Sequence, residues 1–151
     1  QLVNVIAPIM TSDTGAWKQT IFYPFEMISN QGRGHVLHTQ TKAPTFASRY
    51  GDSSYLDAVV IENDNEDLLT IFAVNKDLTD DLELTCDFRQ YEGYLLAKHT
   101  ILHHDNLKAV NTEGAPATVV PTAGTSVTFE NGHLSGILEK QSFHMIQLKK
   151  G

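Results

Sequence analysis

The sequence predicts a mostly β domain, a sandwich or a barrel, preceded by a single helix. From His35 onward, apolar and polar residues alternate with a period of two, as they do in half-buried strands. Turn-forming residues interrupt that alternation about every ten residues, which is typical of sandwiches and barrels. The segment before His35 lacks the alternation and contains the one stretch with helical spacing.

The helix is predicted over residues 16–30, because four apolar side chains recur there at intervals of three and four and would form one stripe. These side chains are Trp17, Ile21, Phe25 and Ile28. Gly32 and Gly34 provide the stop signal. Pro24 lies inside the predicted helix and is expected to kink or interrupt it.

Strands are predicted wherever alternating runs lie between turn residues. The predicted ranges are 55–62, 68–75, 82–88, 94–102, 118–120, 126–129, 133–138 and 143–148. The run 69–74 is apolar enough for a central strand, and residues 63–65 would turn the chain before it. Asn131 and Gly132 give the strongest local signal for a tight hairpin turn.

Charge and cysteine content exclude several classes of protein. The net charge of −7 and the scatter of the 11 basic residues disfavour a nucleic-acid surface and give no reason to expect an anionic membrane partner. Neutral or small ligands remain open. Cys86 is the one cysteine, so an intrachain disulfide is impossible and a reducing compartment fits best. Cys86 lies in a strand-like run and is expected to be a structural thiol.

The first residues form an apolar run, 2–10, that does not alternate. The run lacks the basic start and the small-residue cleavage site of a signal peptide, and it is too short to span a bilayer. Such a run needs cover on both faces, which a half-buried sheet does not provide. The run is therefore expected to be the cut end of a larger body.

No catalytic or metal-binding constellation is predicted from the residues alone. His35 and His38, and the adjacent His103 and His104, are spaced so that a strand would direct their side chains to opposite faces. Retaining glycoside hydrolysis needs two carboxyl groups about 5 Å apart. The acidic residues instead cluster at strand ends and turns, where they are expected to face solvent. We expect no cofactor, no metal and no catalytic residue.

Two stretches resemble a signature of glycoside hydrolase family 51. They are residues 1–11, QLVNVIAPIMT, and residues 15–25, GAWKQTIFYPF. Further resemblance lies in residues 49–52, 55–58, 69–75 and 104–112, so that it extends over nearly the whole chain. Lys18 departs from the usual arginine, and residues 29–31 depart from the usual segment before Gly32. Lysine keeps the charge but loses the bidentate geometry, which leaves a carboxylate clamp there in doubt.

The resemblance implies a (β/α)8 barrel followed by a β-sandwich of jelly-roll type. Residues 1–33 would be the end of the barrel, its last loop and helix, and residues 34–151 the sandwich. The run 2–10 would then be a connection, not a strand, buried under the barrel rim. Family members remove terminal non-reducing α-L-arabinofuranosyl residues with retention. Both catalytic glutamates would lie upstream of Gln1, so the chain by itself is expected to be inactive.

Gln1 is the one substrate-binding residue that the resemblance implies. The matching family glutamine hydrogen-bonds the arabinofuranose bound next to the nucleophile, and a side-chain amide can both donate to and accept from a sugar hydroxyl. The alternative is a glutamine that only satisfies backbone groups at the end of the barrel. Trp17 could stack on a sugar or pack in the fold, and packing is favoured because it is placed at the start of a helix.

Two roles for the sandwich remain open. It could be a structural and interface domain of an arabinofuranosidase, or a carbohydrate-binding module. The first is favoured because such modules present flat aromatic platforms and the β portion contains no tryptophan. The resemblance implies a cytoplasmic homo-oligomer whose substrates are arabinose-containing oligosaccharides. A free chain is expected to expose apolar surface within residues 2–25 and to form a helix-swapped dimer or aggregate.

Overall fold

The computed structural model describes residues 3–4, 6–63 and 65–151. Within these residues the chain forms thirteen strands and one helix. In chain order these are β1 (Ile9–Thr11), β2 (Ala16–Lys18), α1 (Phe22–Gln31), β3 (His35–Val36), β4 (Thr45–Ser48), β5 (Gly51–Ser54), β6 (Leu56–Asn63), β7 (Leu68–Asn75), β8 (Leu82–Asp87), β9 (Tyr94–Leu102), β10 (Thr122–Ala123), β11 (Val127–Glu130), β12 (His133–Leu138) and β13 (Ser142–Lys150).

Two antiparallel sheets face each other across the main core. The larger sheet has the strand order β10-β9-β13-β7-β6-β3, and the smaller has the order β11-β12-β8. Apolar side chains from both sheets fill the space between them, and the buried members are Val60, Leu69, Ile71, Ala73, Leu84, Phe88, Val127, Leu134, Leu138, Ile146 and Leu148. The predicted all-β sandwich is confirmed. The short hairpins β1–β2 and β4–β5 each form a two-stranded sheet of their own.

The central strands of the larger sheet are buried on both faces. Ile71 and Ile146 are paired across β7 and β13 and face the smaller sheet. Phe72 and Met145, one position along, are also paired and belong to a second core that includes Tyr23 of α1. Because a helix covers one face and a sheet covers the other, the sequence of β7 is a continuous apolar run that does not alternate.

The helix begins six residues later than the sequence predicts. Residues 16–18 form β2 instead, paired antiparallel with β1, and Trp17 lies opposite Met10. The expected interruption at Pro24 is wrong, because α1 runs unbroken from Phe22 and Pro24 is its third residue. The first turn of a helix has no acceptor for its N–H groups, so a proline there removes no hydrogen bond. In the described residues, no helix has the length and apolar character needed to cross a membrane.

Most of the longer strands have the predicted positions. The bounds of β7, β9 and β12 match the prediction. The hairpin between β11 and β12 is confirmed, because Asn131 and Gly132 have φ values of 51° and 77°, as a type I′ turn requires. The predicted strand at 118–120 is wrong. The amide of Val119 there donates to the Asn111 side chain, at 2.8 Å from Oδ1, and not to a neighbouring strand.

The segment that precedes the sandwich is a hairpin followed by the helix. Within the run 2–10, Leu2 and Val5 lie outside the described residues, and the last two positions of the run belong to β1. The predicted connection thus contains the start of a short strand, and its burial is uneven: Ala7 is 1% exposed and Ile6 is 82% exposed. The predicted domain boundary after residue 33 falls between the end of α1 and the start of β3 and stays a prediction.

Candidate functional site

Gln1, the predicted substrate-binding residue, lies outside the described residues. Asn4, which is described, has a φ of 59°. The Asn4 side chain accepts a hydrogen bond from the backbone amide of Thr11, at 2.6 Å from Oδ1, and its Nδ2 donates to Thr11 Oγ1 at 2.8 Å. The Asn4 backbone amide donates to the carbonyl of Ile9 at 2.8 Å. Residue 4 is therefore tied to β1.

The turn of the β1–β2 hairpin is held by a loop of the sandwich. Glu113 Oε1 accepts hydrogen bonds from the hydroxyls of Ser12, at 2.8 Å from its Oγ, and of Thr14. These hydrogen bonds favour the ionised carboxylate and lower the pKa of Glu113. The two sides of this contact are about a hundred residues apart in the sequence, so the fold alone brings them together.

Asn111 links the same loop to β2 at a buried position. Its side chain is 1% exposed and makes three hydrogen bonds, in which Nδ2 donates to the carbonyls of Lys18 at 2.9 Å and Val119 at 3.0 Å, and Oδ1 accepts from the Val119 amide. The Asn111 carbonyl accepts from Trp17 Nε1 at 3.0 Å and from Gln19 Nε2 at 3.2 Å. A side-chain amide with all these partners locks the loop to the strand.

These contacts bear on the two predicted roles of Trp17. Its indole is half-buried and donates to the Asn111 carbonyl, which supports packing at this junction. The neighbouring Lys18 departs from the family pattern, and its Nζ lies 3.0 Å from Glu26 Oε1 on α1 and 4.3 Å from the centroid of the Phe22 ring. Lysine makes this contact with a single nitrogen, as expected for a point charge without a guanidinium fork.

The carboxylates with shifted pKa values have structural partners. Burial between apolar groups would raise the pKa of a catalytic acid, but the pKa values of Asp77 and Asp87 are lowered. The amide of Thr79 is the main cause for Asp77. The side chain of Arg89 lowers the pKa of Asp87 to about 2 through an ion pair with 2.6 Å between Nη2 and Oδ2. Turn formation and ion pairing account for both, as expected from their positions at strand ends.

The histidines singled out in the sequence do not converge. His103 Nε2 lies 3.5 Å from Asp105 Oδ1, and the part of the chain that the structure describes contains no group of three or more His, Cys, Asp or Glu side chains able to hold a metal ion. Cys86 is partly buried, and burial raises the pKa of its thiol to about 11. A thiol with so high a pKa is a poor nucleophile near neutral pH, which supports a structural role.

Sequence reasoning missed a buried histidine pair. His99 on β9 and His144 on β13 lie between the sheets, with 2.9 Å between His99 Nε2 and His144 Nδ1. His144 Nε2 lies 2.7 Å from Ser142 Oγ, and that hydroxyl donates to the Glu139 carbonyl. A histidine inside the apolar run of β13 was the available signal. His144 is 0% exposed. This hydrogen-bonded group therefore lacks the access to solvent that a catalytic site has.

A cleft of about 520 Å³ lies beside the start of β9. Its aromatic lining consists of Tyr91, Tyr94 and Phe129. Tyr91 and Tyr94 meet edge to face with 5.4 Å between ring centroids, and Phe129 meets Phe88 at 6.5 Å in the same manner. All three rings pack against the main core. Rings that pack on each other in this way do not form the flat platform that stacks on a sugar.

Comparison with known proteins gives the family. A family model described as the α-L-arabinofuranosidase C-terminal domain matches residues 1–142. Two relatives are each matched over 152 residues, which cover 99% of this chain and 30% of the relative. The intracellular exo-α-(1→5)-L-arabinofuranosidase of Halalkalibacterium halodurans is 45% identical, and intracellular exo-α-(1→5)-L-arabinofuranosidase 1 of Bacillus subtilis is 42% identical.

A solved family 51 α-L-arabinofuranosidase from Bifidobacterium longum matches with a TM-score of 0.89 and 34% identity, over 97% of this chain and 29% of that chain. The chain therefore spans less than a third of the length of these relatives. Both the family model and the relatives extend over nearly all of the chain. The chain belongs to glycoside hydrolase family 51, as the C-terminal region of its α-L-arabinofuranosidases.

Proposed function

We propose that this chain is the accessory, structural and interface part of an α-L-arabinofuranosidase that removes terminal non-reducing α-L-arabinofuranosyl residues with retention. Its partner is a catalytic barrel upstream in the same protein, which carries both catalytic glutamates. The names of the two bacterial relatives support exo action on arabinose-containing oligosaccharides and an intracellular, cytoplasmic location. Family resemblance supports a homo-oligomer.

The observation that carries the proposal is a helix that is apolar on two faces. Tyr23 and Met27 are buried against the larger sheet. On the opposite side, Phe25 and Ile28 of α1 are 65% and 46% exposed, and Ile21, directly before the helix, is 46% exposed. A helix that is apolar all round is normally buried in the body of a larger protein. The exposed face of α1 is therefore the surface that we assign to the upstream barrel.

Gln1 remains the proposed substrate contact, and residues 1–33 the proposed end of the barrel. An amide at residue 1 could donate to one sugar hydroxyl and accept from another. The hairpin that follows it packs on the sandwich through Asn111, so the two proposed domains share a hydrogen-bonded junction. Such a junction suits an accessory domain that supports the barrel.

The isolated chain should not hydrolyse an aryl α-L-arabinofuranoside, whereas the full-length protein should. The physical reason is that a retaining mechanism requires two carboxyl groups about 5 Å apart across the scissile bond, and the carboxylates with shifted pKa values here serve turns and ion pairs. The measurement is release of the aryl alcohol by each protein after its intact mass has been checked. Hydrolysis by a chain of 151 residues would place a catalytic pair within it and refute the proposal.

In solution the isolated chain should self-associate, and Phe25→Ser should weaken that association. Phe25 is a large apolar side chain at the centre of the exposed face of α1, and covering it with a second copy removes apolar surface from water. Light scattering coupled to size exclusion measures the mass. Leu95→Ser is the matched control, since Leu95 is 62% exposed on the sandwich and should leave the mass unchanged. A clean monomer of the unsubstituted chain at high concentration would contradict this expectation.

A further inference from the structure

We propose that the upstream barrel contacts the sandwich at a second place besides α1, a cleft at one end of the larger sheet. This end cleft has a volume of about 380 Å³ and lies where β7 and β9 end and β13 begins. The inference rests on the proposed function, in which a barrel precedes the chain. It extends the contact with that barrel from the helix onto the sandwich itself.

The floor of the end cleft is an uncovered part of the second core. Phe143 and Leu102 are paired across β13 and β9, line the cleft, and pack against the buried residues of the core beneath α1. Both remain only partly buried. The helix has 10 residues and is about 15 Å long, whereas β7, with 8 residues, extends for about 27 Å. The helix is thus too short to cover this face of the sheet from end to end.

The rim of the end cleft carries two leucines that are mostly exposed. Leu78 and Leu107 are 62% and 64% exposed, and both line the cleft. Each is the central residue of a turn in which the preceding side chain, Asp77 or Asn106, accepts a hydrogen bond at 2.9 Å from the amide two residues further on. Such turns fix the backbone locally. Ordered turns that hold large apolar side chains in water indicate a surface that another protein body covers.

The position of the end cleft favours the barrel as its occupant. Thr20, two residues before α1 and within the predicted barrel end 1–33, forms part of the wall, and the next residue, Ile21, is 46% exposed. The cleft is thus continuous with the exposed face of α1 that we assign to the barrel. A body that covers Phe25 lies on the same side of the larger sheet as the cleft. The two bacterial relatives contain enough further chain for such a body, since the match covers 30% of their length.

The lining of the end cleft indicates what the barrel inserts there. Val74 and Val119 add apolar surface to that of Phe143 and Leu102. Among the described residues that line the cleft, none is an aspartate or a glutamate. An apolar side chain would gain free energy by leaving water, whereas a basic side chain would enter without an acidic partner in the lining. We therefore expect a barrel loop to place an apolar side chain between Leu78 and Leu107.

The test is hydroxyl-radical footprinting of the full-length protein, with the oxidation of each side chain measured by mass spectrometry. Leu95 is the matched reference, because it is 62% exposed on the sandwich, nearly the same as Leu78 and Leu107. In the full-length protein, Leu78 and Leu107 should be oxidised about fivefold more slowly than Leu95, because packed side chains leave no space for solvent. Equal rates for the three leucines would overturn the inference.

Dilution distinguishes the barrel from a second copy of the chain. The barrel belongs to the same polypeptide, so the slow oxidation of Leu78 and Leu107 should persist in a sample diluted until light scattering shows a monomer. If that protection is lost on dilution, the end cleft belongs to a second copy, and the inference is overturned.

A double substitution tests the contact from the sandwich side. Leu78→Lys with Leu107→Lys places two charges on the rim, which an apolar partner cannot solvate. In the full-length protein this should speed the oxidation of Phe143 on the floor, and irreversible thermal unfolding should be about threefold faster, because a contact between domains is weakened. Leu95→Lys is the control and should change neither rate. A double variant that behaves like Leu95→Lys would contradict the inference.

The oxidation of Phe25 separates failure of this inference from failure of the proposed function. Tyr50, which is 84% exposed, is the aromatic reference. If Phe25 is protected relative to Tyr50 while Leu78 and Leu107 react as fast as Leu95, the barrel covers α1 and the inference alone is overturned. If Phe25 reacts as fast as Tyr50, no barrel covers α1, and the proposed function is overturned together with the inference.

Discussion

Acidification should destabilise the sandwich strongly, and His144→Gln should remove much of that dependence. Burial and the neighbouring His99 and His103 lower the pKa of His144 to about 3. The pKa of His99 is also lowered by burial, against an opposing effect of Glu139. A histidine in an unfolded chain has a pKa of about 6.5. Between about pH 6.5 and 3 the unfolded state therefore binds more protons than the folded state.

The sign and the size follow from that difference in proton binding. Stability is fully present above about pH 6.5 and falls as the pH drops toward the folded pKa, by about 1.4 kcal/mol per pH unit for each histidine that must stay neutral. The hydrogen bonds explain why protonation is resisted. Ser142 donates to the Glu139 carbonyl and so accepts from His144 Nε2–H, which leaves Nδ1 to accept from His99.

His99 Nδ1, the ring nitrogen that does not contact His144, has no space beside it for a proton and a hydrogen-bond acceptor. His99 Nδ1 has no hydrogen-bond partner among the described residues. Gly124 covers it so closely that a Cβ there would lie 2.2 Å away. In the charged form of His99, Nδ1 would carry a proton and would need a hydrogen-bond acceptor, which the packing does not offer. The pair is therefore held neutral by geometry as well as by burial.

Urea unfolding of the isolated chain, followed by far-ultraviolet circular dichroism at several pH values, measures this effect. The Phe25→Ser background limits self-association. His144→Gln should lower the free energy of unfolding by about 1–2 kcal/mol near pH 8, because the substitution removes hydrogen bonds of the pair. It should also flatten the decline in stability below about pH 6.5. His38→Gln, at an exposed loop position, is the control and should leave the profile unchanged. If the free energy of unfolding falls with pH in the same way for the original chain and for His144→Gln, the explanation is refuted.

Leu148→Ala should lower the free energy of unfolding by about 3 kcal/mol. Leu148 is 0% exposed, lies between the sheets, and is paired with Leu69 of β7 and Leu96 of β9. Truncation would leave a cavity enclosed by strands on both sides, and a β-sheet cannot collapse into it without breaking its ladder of hydrogen bonds.

The control is Leu95→Ala on the neighbouring strand. Leu95 is 62% exposed and directly precedes Leu96, which is partly buried against the main core. Its truncation should change the free energy of unfolding by less than about 0.5 kcal/mol. Both variants are compared with the parent by urea unfolding near neutral pH. Equal losses for Leu148→Ala and Leu95→Ala would mean that the main core is not where the structure places it.

The sequence by itself determined the long strands and the fold class. The strands at 68–75, 94–102 and 133–138 were predictable because apolar runs of strand length lie between turn residues. Asn131 and Gly132 were predictable because both tolerate positive φ, which a type I′ turn needs. These signals are local. The family was recognisable for a different reason, since residues 1–11 and 15–25 carry a long motif.

The start of the helix was not predictable from spacing. The apolar spacing around Trp17 fits a helix, but pairing with β1 gives that residue a strand conformation and a hydrogen bond to the carbonyl of Asn111. Pro24 could be placed correctly only once the helix start was known. Tertiary contacts thus overrode a local preference that is weak in a short segment.

The polar contacts between distant segments were decided by tertiary structure. Glu113 meets Ser12 and Thr14 across about a hundred residues of sequence, and His99 meets His144 only because β9 and β13 are neighbours in the larger sheet. No periodicity encodes such pairs, because each forms when two distant segments are packed side by side. The sequence determined the longer strands and the turn between β11 and β12, and the packing of the two sheets decided which polar side chains meet.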